Sequence, residues 1–397
     1  METSAISSGI AREIAELSTL LTFLTDSPWA RRNERAEFYD FVFGNPHEPV
    51  LPGLTSALQQ FTPPQRNDWH AYQFSDPHAC EVVARSLSRD TGIAFDPAMV
   101  MMTNGAFSGL SIVLQTILEL GDEVLYISPP WFFYASLIRR AGGTPVSTPM
   151  DPVTFDLDLP AIEAALTPRT RAIIVNSPHN PTGRIYSDAI LQQLSEILTR
   201  ASERHGRPIV LISDEAYRRI LFDDRSCPTP AEFYPATAVV YTFGKSMLTP
   251  GERIGFVALA PGFPEATAML TGLMMAQVLS GWAFPNSILQ HAIDQLDEQL
   301  IDLDLLQRKR DRIVERLTEA GYEVTTPEGT FYVVVKSPDA DDLAFSSRVA
   351  EDGLFVLPGT IFDMPGYFRI SLTATMEMIE DALPIFAAAR ERVPTPA

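Results

Sequence analysis

Short apolar runs alternate with amphipathic segments between residues 99 and 260, and this alternation limits the possible folds more than any other feature of the chain. The runs are apolar at nearly every position, as strands are when both faces of their sheet are buried. An order of strand, helix, strand, helix predicts a mainly parallel sheet flanked by helices. We therefore predict an α/β fold whose strands are MVMMT, EVLYIS, AIIVNS, IVLISDE, AVVYTFG and IGFVALA.

The pattern changes after Pro285. The long charged segment HAIDQLDEQLIDLDLLQRKRDRIVERLTEAG has the periodicity of one helix, from 291 to 321. It is followed by the strand candidates YEVTT, FYVVV, LFVLPG and YFRISL. We predict a smaller α+β domain made from residues 1–44 and 286–397, beside a large domain of residues 45–285.

Charge and cysteine content narrow the partners and the compartment. A formal net charge of −20 at pH 7 would repel nucleic acid and an anionic membrane surface, so we expect neither as a partner. Cys80 and Cys227 are too few for a disulfide framework in 397 residues, and the N-terminal segment lacks the features of a signal peptide. Both observations favour the cytoplasm. The six histidines show no spacing typical of metal ligands, so no metal site is predicted.

Polar residues follow three of the predicted strands at the point where each strand ends. Asn180 lies in SPHNPTG, after AIIVN. Asp214 and Tyr217 follow IVLIS, and Lys245 follows AVVYTF. In open parallel sheets, ligands bind beyond the carboxyl ends of the strands. The sequence therefore predicts that these four side chains meet at one ligand.

Lys245 is one of only three lysines in the chain. Lys309 lies in the charged segment QRKRDR and Lys336 at a strand exit, so both have an ordinary solvated interpretation. Lys245 instead follows an apolar strand, where a lysine is suited to form a Schiff base with a carbonyl. A surface lysine beside a helix is the alternative. A phosphate-binding P-loop is excluded, because it requires glycine where the chain has Val239.

Three motifs taken together, SPHNPTG, SDEAY and TFGKSMLTPGERIG, resemble those of the class I and II aminotransferases in order and in spacing. The resemblance extends from FVFGNP near residue 44 to YFRISL near residue 371. It implies fold type I of the pyridoxal 5'-phosphate enzymes, whose large domain has a mainly parallel seven-stranded sheet. It also implies transfer of an amino group from an L-amino acid to a 2-oxo acid, by a homodimer with shared active sites.

The resemblance assigns roles to the residues at the strand ends. Lys245 would carry pyridoxal phosphate as a Schiff base and move a proton between the substrate's α-carbon and the cofactor. Asp214 would keep the proton on the ring nitrogen, because a carboxylate stabilises the positive charge there. Tyr217 and Asn180 would donate hydrogen bonds to the ring oxygen. Taken singly, a helix cap, a core aromatic and a turn former are the alternatives for Asp214, Tyr217 and Asn180.

The same resemblance predicts how the cofactor's phosphate is bound. Backbone N–H groups at a helix start, those of Gly105, Ala106 and Phe107, would contact the phosphate, together with the side chains of Thr242 and Arg253. For Arg253 the alternative is an ordinary surface charge.

Substrate contacts and a contact between subunits are implied in the same way. Trp131 would stack on the pyridine ring, with a buried core tryptophan as the alternative. Arg369 would bind the substrate's α-carboxylate through its guanidinium fork, Asn180 would contribute beside it, and the backbone of Gly44 would border the substrate. A charge at a strand edge is the alternative for Arg369. Tyr72 would reach the phosphate of the neighbouring subunit.

Substrate choice and reaction type stay open. Phe107 stands where some prokaryotic aspartate aminotransferases carry a lysine for the distal carboxylate, and with Phe132 and Phe133 it favours an apolar side chain. A lyase, decarboxylase or cyclase would share the fold and the lysine chemistry. A noncatalytic sensor domain that binds the cofactor is the alternative from another class of protein.

Overall fold

The computed structural model describes residues 5–392. Its strands are β1 Tyr39–Asp40, β2 Val100–Thr103, β3 Glu123–Ser128, β4 Thr144–Pro149, β5 Thr170–Asn176, β6 Val210–Asp214, β7 Thr237–Thr242, β8 Gly255–Leu259, β9 Val324–Thr325, β10 Tyr332–Lys336, β11 Leu354–Phe355, β12 Leu357–Pro358 and β13 Tyr367–Ser371. Its α-helices are α1 Ser8–Glu16, α2 Ser18–Asp26, α3 Pro52–Phe61, α4 Pro77–Thr91, α5 Gly105–Ile117, α6 Tyr134–Arg140, α7 Leu159–Ala165, α8 Asp188–His205, α9 Phe243–Ser246, α10 Ala266–Leu279, α11 Ser287–His291, α12 Ile293–Asp297, α13 Leu303–Glu319, α14 Asp342–Glu351 and α15 Met376–Glu391.

Seven strands form the large sheet, in the order β2-β8-β7-β6-β5-β3-β4. The five strands from β7 to β4 in that order are parallel to one another, and β8 runs antiparallel to both β7 and β2. The predicted α/β fold with a mainly parallel seven-stranded sheet is confirmed. The sequence did not reveal β4, because TPVSTP is an edge strand with two prolines and little burial, and it lacks the apolar signal of the central strands.

The apolar runs are explained by cores on both faces of this sheet. Val239 and Val240 are consecutive residues of β7 and both are fully buried, yet they belong to different cores. Val239 packs in the core that includes α4, and Val240 packs in the core that includes α5. Successive side chains of a strand point to opposite faces, so a strand covered on both sides must be apolar at every position.

A second sheet lies in the C-terminal part, with the antiparallel order β12-β13-β10-β9. Beside it, β1 pairs in parallel with β11. This pairing brings an N-terminal segment into contact with the C-terminal part of the chain. The prediction of a single helix over 291–321 is wrong, because the segment holds the end of α11, then α12 and α13. The side chain of Asp302 caps α13 by accepting a hydrogen bond from Leu305 N at 2.8 Å, so a new helix begins there.

The prediction that Lys309 is solvated is wrong. It is only 2% exposed, and its Nζ donates a hydrogen bond to Glu48 Oε1 at 2.7 Å. The segment before α3 covers this side of α13, so the charge is buried with a partner. Lys336 is exposed and donates to Glu323 at 2.9 Å, as expected for a lysine at a strand exit. Within residues 5–392, no helix combines the length and the apolar character needed to cross a membrane.

Candidate active site

A cavity of about 340 Å³ opens at the carboxyl ends of β5, β6 and β7, against residues of β10 and β13. Topology explains the position, because parallel strands end at the same edge of their sheet. Of the residues predicted for the site, Gly105 lies just behind this cavity and Tyr72 lies away from it. The other predicted residues that line it are Gly44, Ala106, Phe107, Trp131, Asn180, Asp214, Tyr217, Thr242, Lys245, Arg253 and Arg369.

Lys245 enters the cavity from the short helix α9, which follows β7 without a loop. Its Nζ lies 5.5 Å from the ring centroid of Tyr217 and 5.4 Å from that of Phe331. Among the described residues, none forms a hydrogen bond or an ion pair with this amine. A half-buried lysine amine without a protein partner is suited to react with a ligand.

Asp214 ends β6 and is buried, with 6% of its surface exposed. Tyr134 donates its hydroxyl to Asp214 Oδ2 at 2.6 Å, and the Ala216 N–H donates to Oδ1 at 3.3 Å. Burial raises the pKa of Asp214, while these hydrogen bonds and the charge of Lys245 oppose the shift. A buried carboxylate without a cation in contact gains stability when a positively charged group binds beside it.

Asn176 links Asp214 to Asn180, a connection that the sequence did not predict. Asn176 Nδ2 donates to the backbone oxygen of Asp214 at 2.7 Å, and its Oδ1 accepts from the Asn180 N–H at 2.7 Å. The strand ends of β5 and β6 are therefore fastened to each other at the edge of the cavity. This fixes Asn180 relative to the carboxylate of Asp214.

Arg369 of β13 reaches the cavity from the smaller sheet. Its Nη1 donates to Asn180 Oδ1 and its Nη2 to the Val42 backbone oxygen, each at 3.0 Å. The guanidinium carbon lies 3.7 Å from the ring centroid of Tyr332. Within residues 5–392 the buried Nε has no hydrogen-bond partner, although Arg369 is only 3% exposed. The two hydrogen bonds use two of the five guanidinium N–H groups, so Arg369 keeps donors for an acceptor such as a carboxylate.

The start of α5 forms a cradle with the side chains of Thr242, at the end of β7, and Arg253, just before β8. Gly105 has φ of 81°, and a Cβ added there would lie 3.0 Å from Arg253 Nη2 and 3.4 Å from Thr242 Oγ1. Asn104 precedes the helix without capping it through its side chain, so the first backbone N–H groups are left for another acceptor. Burial lowers the pKa of Arg253, and no carboxylate of the described chain pairs with it. Helix N–H groups, a hydroxyl and a guanidinium together suit a phosphate.

Tyr332 is a residue of the site that the sequence did not reveal. It is hydrogen-bonded to the side chain of Tyr217, and both rings are buried. Burial would raise the pKa of Tyr332, but the charges of Arg369 and Lys245 outweigh that effect and hold the pKa below its usual value. The pair fixes the position of the Tyr217 hydroxyl. A Cβ on Gly44 would collide with the ring of Phe331 and lie 2.9 Å from the Tyr332 hydroxyl, so this close approach requires glycine.

Aromatic rings form one wall of the cavity. The ring of Trp131 lies 4.8 Å from that of Phe107, edge to face, and Phe132 and Phe43 also line the cavity. Phe133 lies behind this wall, stacked on Phe107 at 5.4 Å.

Tyr72 is 93% exposed, outside this cavity, and its nearest ring neighbour is Phe284 at 5.5 Å. Any contact of Tyr72 with a cofactor would therefore have to be made with another copy of the chain.

The charges of the cavity are unbalanced. Lys245, Arg253 and Arg369 line it, while Asp214 is its single carboxylate among the described residues. None of the three cations forms an ion pair in that part of the chain, whereas nearby Arg218 is paired with Glu215. In a chain of net charge −20, three unpaired cations around one cavity indicate that its ligands are anionic.

Known proteins share this fold. The crystal structure of an amino transferase from Eubacterium rectale matches with a TM-score of 0.86 and 29% identity, over 98% of this chain and 96% of that one. The fold and the site thus define an aminotransferase. The family model for aminotransferase class I and II matches residues 41–385, and the chain belongs to that family.

Two relatives found by sequence comparison have names that specify their substrates. The probable aspartate/prephenate aminotransferase of Aquifex aeolicus is 30% identical over 80% of this chain and 82% of that protein. The aspartate/prephenate aminotransferase of Thermus thermophilus is 31% identical over 78% of this chain and 80% of that protein. The protein is an enzyme that transfers an amino group from an amino acid to a 2-oxo acid, and enzymes of this class depend on pyridoxal phosphate.

Proposed function

We propose that the chain carries out transamination with pyridoxal 5'-phosphate bound in the 340 Å³ cavity, attached through Lys245. The observation that carries the proposal is the set of three cations without carboxylate partners around one buried carboxylate. The cradle at Gly105 fits the phosphate, the Lys245 amine fits the aldehyde, and Asp214 fits the ring nitrogen. The relatives' names give aspartate as a substrate of those proteins, and the donor used by this chain depends on its own cavity.

The bound cofactor supplies an aldehyde and a ring that accepts electrons from the substrate's α-carbon. Lys245 would hold the cofactor through its aldehyde, and its amine would accept the proton from the substrate's α-carbon. Asp214 keeps the ring nitrogen protonated, with Tyr134 orienting the carboxylate. Tyr217 and Asn180, which line the cavity, would donate to the ring oxygen, and Trp131 would pack on the ring face. Arg369 would bind the substrate's carboxylate through the guanidinium N–H groups that Asn180 and Val42 leave free.

Different residues of the cavity would bind the phosphate and the substrate. Backbone N–H groups of Ala106 and Phe107, beside Gly105, hold the phosphate together with Thr242 and Arg253. The backbone of Gly44 borders the substrate next to Arg369, since both line the cavity with Tyr332. Because the cofactor's phosphate and the substrate's carboxylate would each be bound, the reacting carbon between them would be held in position.

Reconstitution tests the proposed function. The purified protein, mixed with pyridoxal phosphate, should develop a visible absorption band that an amino acid removes and a 2-oxo acid restores. Borohydride should then fix the cofactor to the peptide that contains Lys245. Attachment at Lys309 or Lys336, or release of ammonia without a regenerable amine form of the cofactor, would contradict transamination at Lys245.

We propose further that two copies form a homodimer in which Tyr72 completes the partner's phosphate site. Tyr72, Phe74 and Trp282 are exposed by 93%, 44% and 40%, and with Phe284 they form an apolar patch near the start of α5. Patches of this kind mark protein interfaces in soluble proteins. Sedimentation of the holoenzyme should give twice the chain mass of 43.9 kDa. A species of one chain that retains full activity would refute the shared site.

Two further expectations remain predictions. The division into residues 45–285 and residues 1–44 with 286–397 is supported by the two separate sheets and by the pairing of β1 with β11. Cytoplasmic localisation is in keeping with Cys80 and Cys227, which are both unpaired and buried.

A further inference from the structure

We infer that the amino donor of this enzyme has a large apolar side chain, aromatic in preference to charged, and that Phe107 helps to select it. This inference rests on the proposed function, since it concerns the substrate bound beside the cofactor. Two observations on the cavity support it. Each charged group of the lining already has a role in binding the cofactor or the α-carboxylate, and several of the other lining side chains are aromatic.

Every charged group that lines the cavity already has a task. Arg253 lies in the phosphate cradle, and Lys245 and Asp214 face the reactive ends of the cofactor. Arg369 uses one N–H of Nη1 on Asn180 Oδ1 and one N–H of Nη2 on the Val42 carbonyl, which leaves three of its five N–H groups free. We assign these donors to the single α-carboxylate of the substrate. No cation of the described cavity lining is left for a second carboxylate, and no carboxylate is left for a basic side chain.

The uncharged part of the lining contains a group of aromatic side chains besides the polar residues Asn45, Asn176, Asn180, Tyr217, Thr242 and Tyr332. Phe43, Phe107, Trp131 and Phe132 line the same cavity as Arg369. Phe43 follows Val42, whose carbonyl accepts from Arg369, and its ring lines the cavity. Phe107 contacts Trp131 at 4.8 Å between ring centroids, and Phe133 stacks behind it at 5.4 Å. Rings held in this way present a fixed hydrophobic surface to a side chain.

A charged side chain in that space would lose its water without gaining a partner, which is unfavourable. An aromatic or large aliphatic side chain would instead bury apolar surface against the rings. The two effects act in the same direction, so an apolar amino acid should be preferred to a dicarboxylic one of similar length.

Binding of unreactive carboxylates tests the inference apart from turnover. In the holoenzyme, calorimetry should give 3-phenylpropanoate a dissociation constant at least about tenfold below that of succinate. The half-reaction followed by the cofactor's absorption should be faster with L-phenylalanine than with L-aspartate at equal low concentration. Equal or tighter binding of succinate, or faster conversion by L-aspartate, would overturn the inference and would mean that a cation from elsewhere reaches the side-chain space.

Two substitutions at one position separate charge from size. Phe107→Lys should tighten succinate binding and weaken 3-phenylpropanoate binding, while Phe107→Leu should leave succinate weak. If Phe107→Lys leaves the ratio of the two dissociation constants unchanged, Phe107 has no part in selection. The proposed function fails in a different way: no amino acid would then alter the absorption of the bound cofactor, and both proposals would be lost.

Discussion

Replacing Lys245 by alanine should lower the rate of transamination by at least about a thousandfold. The residue has two tasks, holding the cofactor's aldehyde and moving the α-proton, and alanine can do neither. A thousandfold loss corresponds to about 4 kcal/mol of transition-state stabilisation. Single-turnover absorption measurements with saturating amino acid would give the rate directly, because they separate the proton transfer from product release.

The chain offers a matched control in Lys336. That lysine is exposed and paired with Glu323, so Lys336→Ala should retain the wild-type rate. Lys245→Ala should still bind pyridoxal phosphate through the cradle at Gly105 and Arg253, although without a covalent bond. Added methylamine should restore part of the rate, since an amine from solution can accept the α-proton. A variant that turned over at the wild-type rate would remove Lys245 from the mechanism.

Much of the site could be predicted from the sequence, because topology does most of the positioning. Asn180, Asp214 and Lys245 stand at the ends of neighbouring parallel strands, and such ends meet at one edge whatever the details of packing. The apolar runs identified these strands, since burial on both faces leaves a signal at every position.

The remaining residues of the site depend on contacts between distant segments. Tyr134 lies 80 residues from Asp214, and its hydroxyl reaches the carboxylate only because α6 packs against the large sheet. Tyr332 has the sequence pattern of an ordinary strand aromatic in FYVVV, and its contact with Tyr217, which follows β6, forms only in the folded chain. The burial of Lys309 likewise depends on a distant segment and could not be predicted from its own helix. Its helix is highly charged, yet Glu48, 261 residues away, covers it.

Asp214→Asn should lower the single-turnover rate by about a hundredfold, a loss of about 2.7 kcal/mol. An amide of the same size keeps the packing but removes the negative charge that stabilises a protonated ring nitrogen. Because burial already raises the pKa of Asp214, the wild-type carboxylate relies on its hydrogen bonds and on nearby positive charge to stay ionised. The absorption of the bound cofactor should therefore change as well as the rate.

Tyr134→Phe gives the graded version of the same experiment. It removes the hydrogen bond of 2.6 Å to Oδ2 and leaves the charge, so the pKa of Asp214 should rise further and the rate should fall by about tenfold or less. Asp342→Asn is the control for a buried carboxylate, since Asp342 is 2% exposed and binds Thr360 and Gly366 away from the cavity. It should reduce stability without altering the cofactor's absorption. If Tyr134→Phe were as damaging as Asp214→Asn, or if Asp342→Asn changed the absorption, the effects would come from folding and not from the charge beside the ring nitrogen.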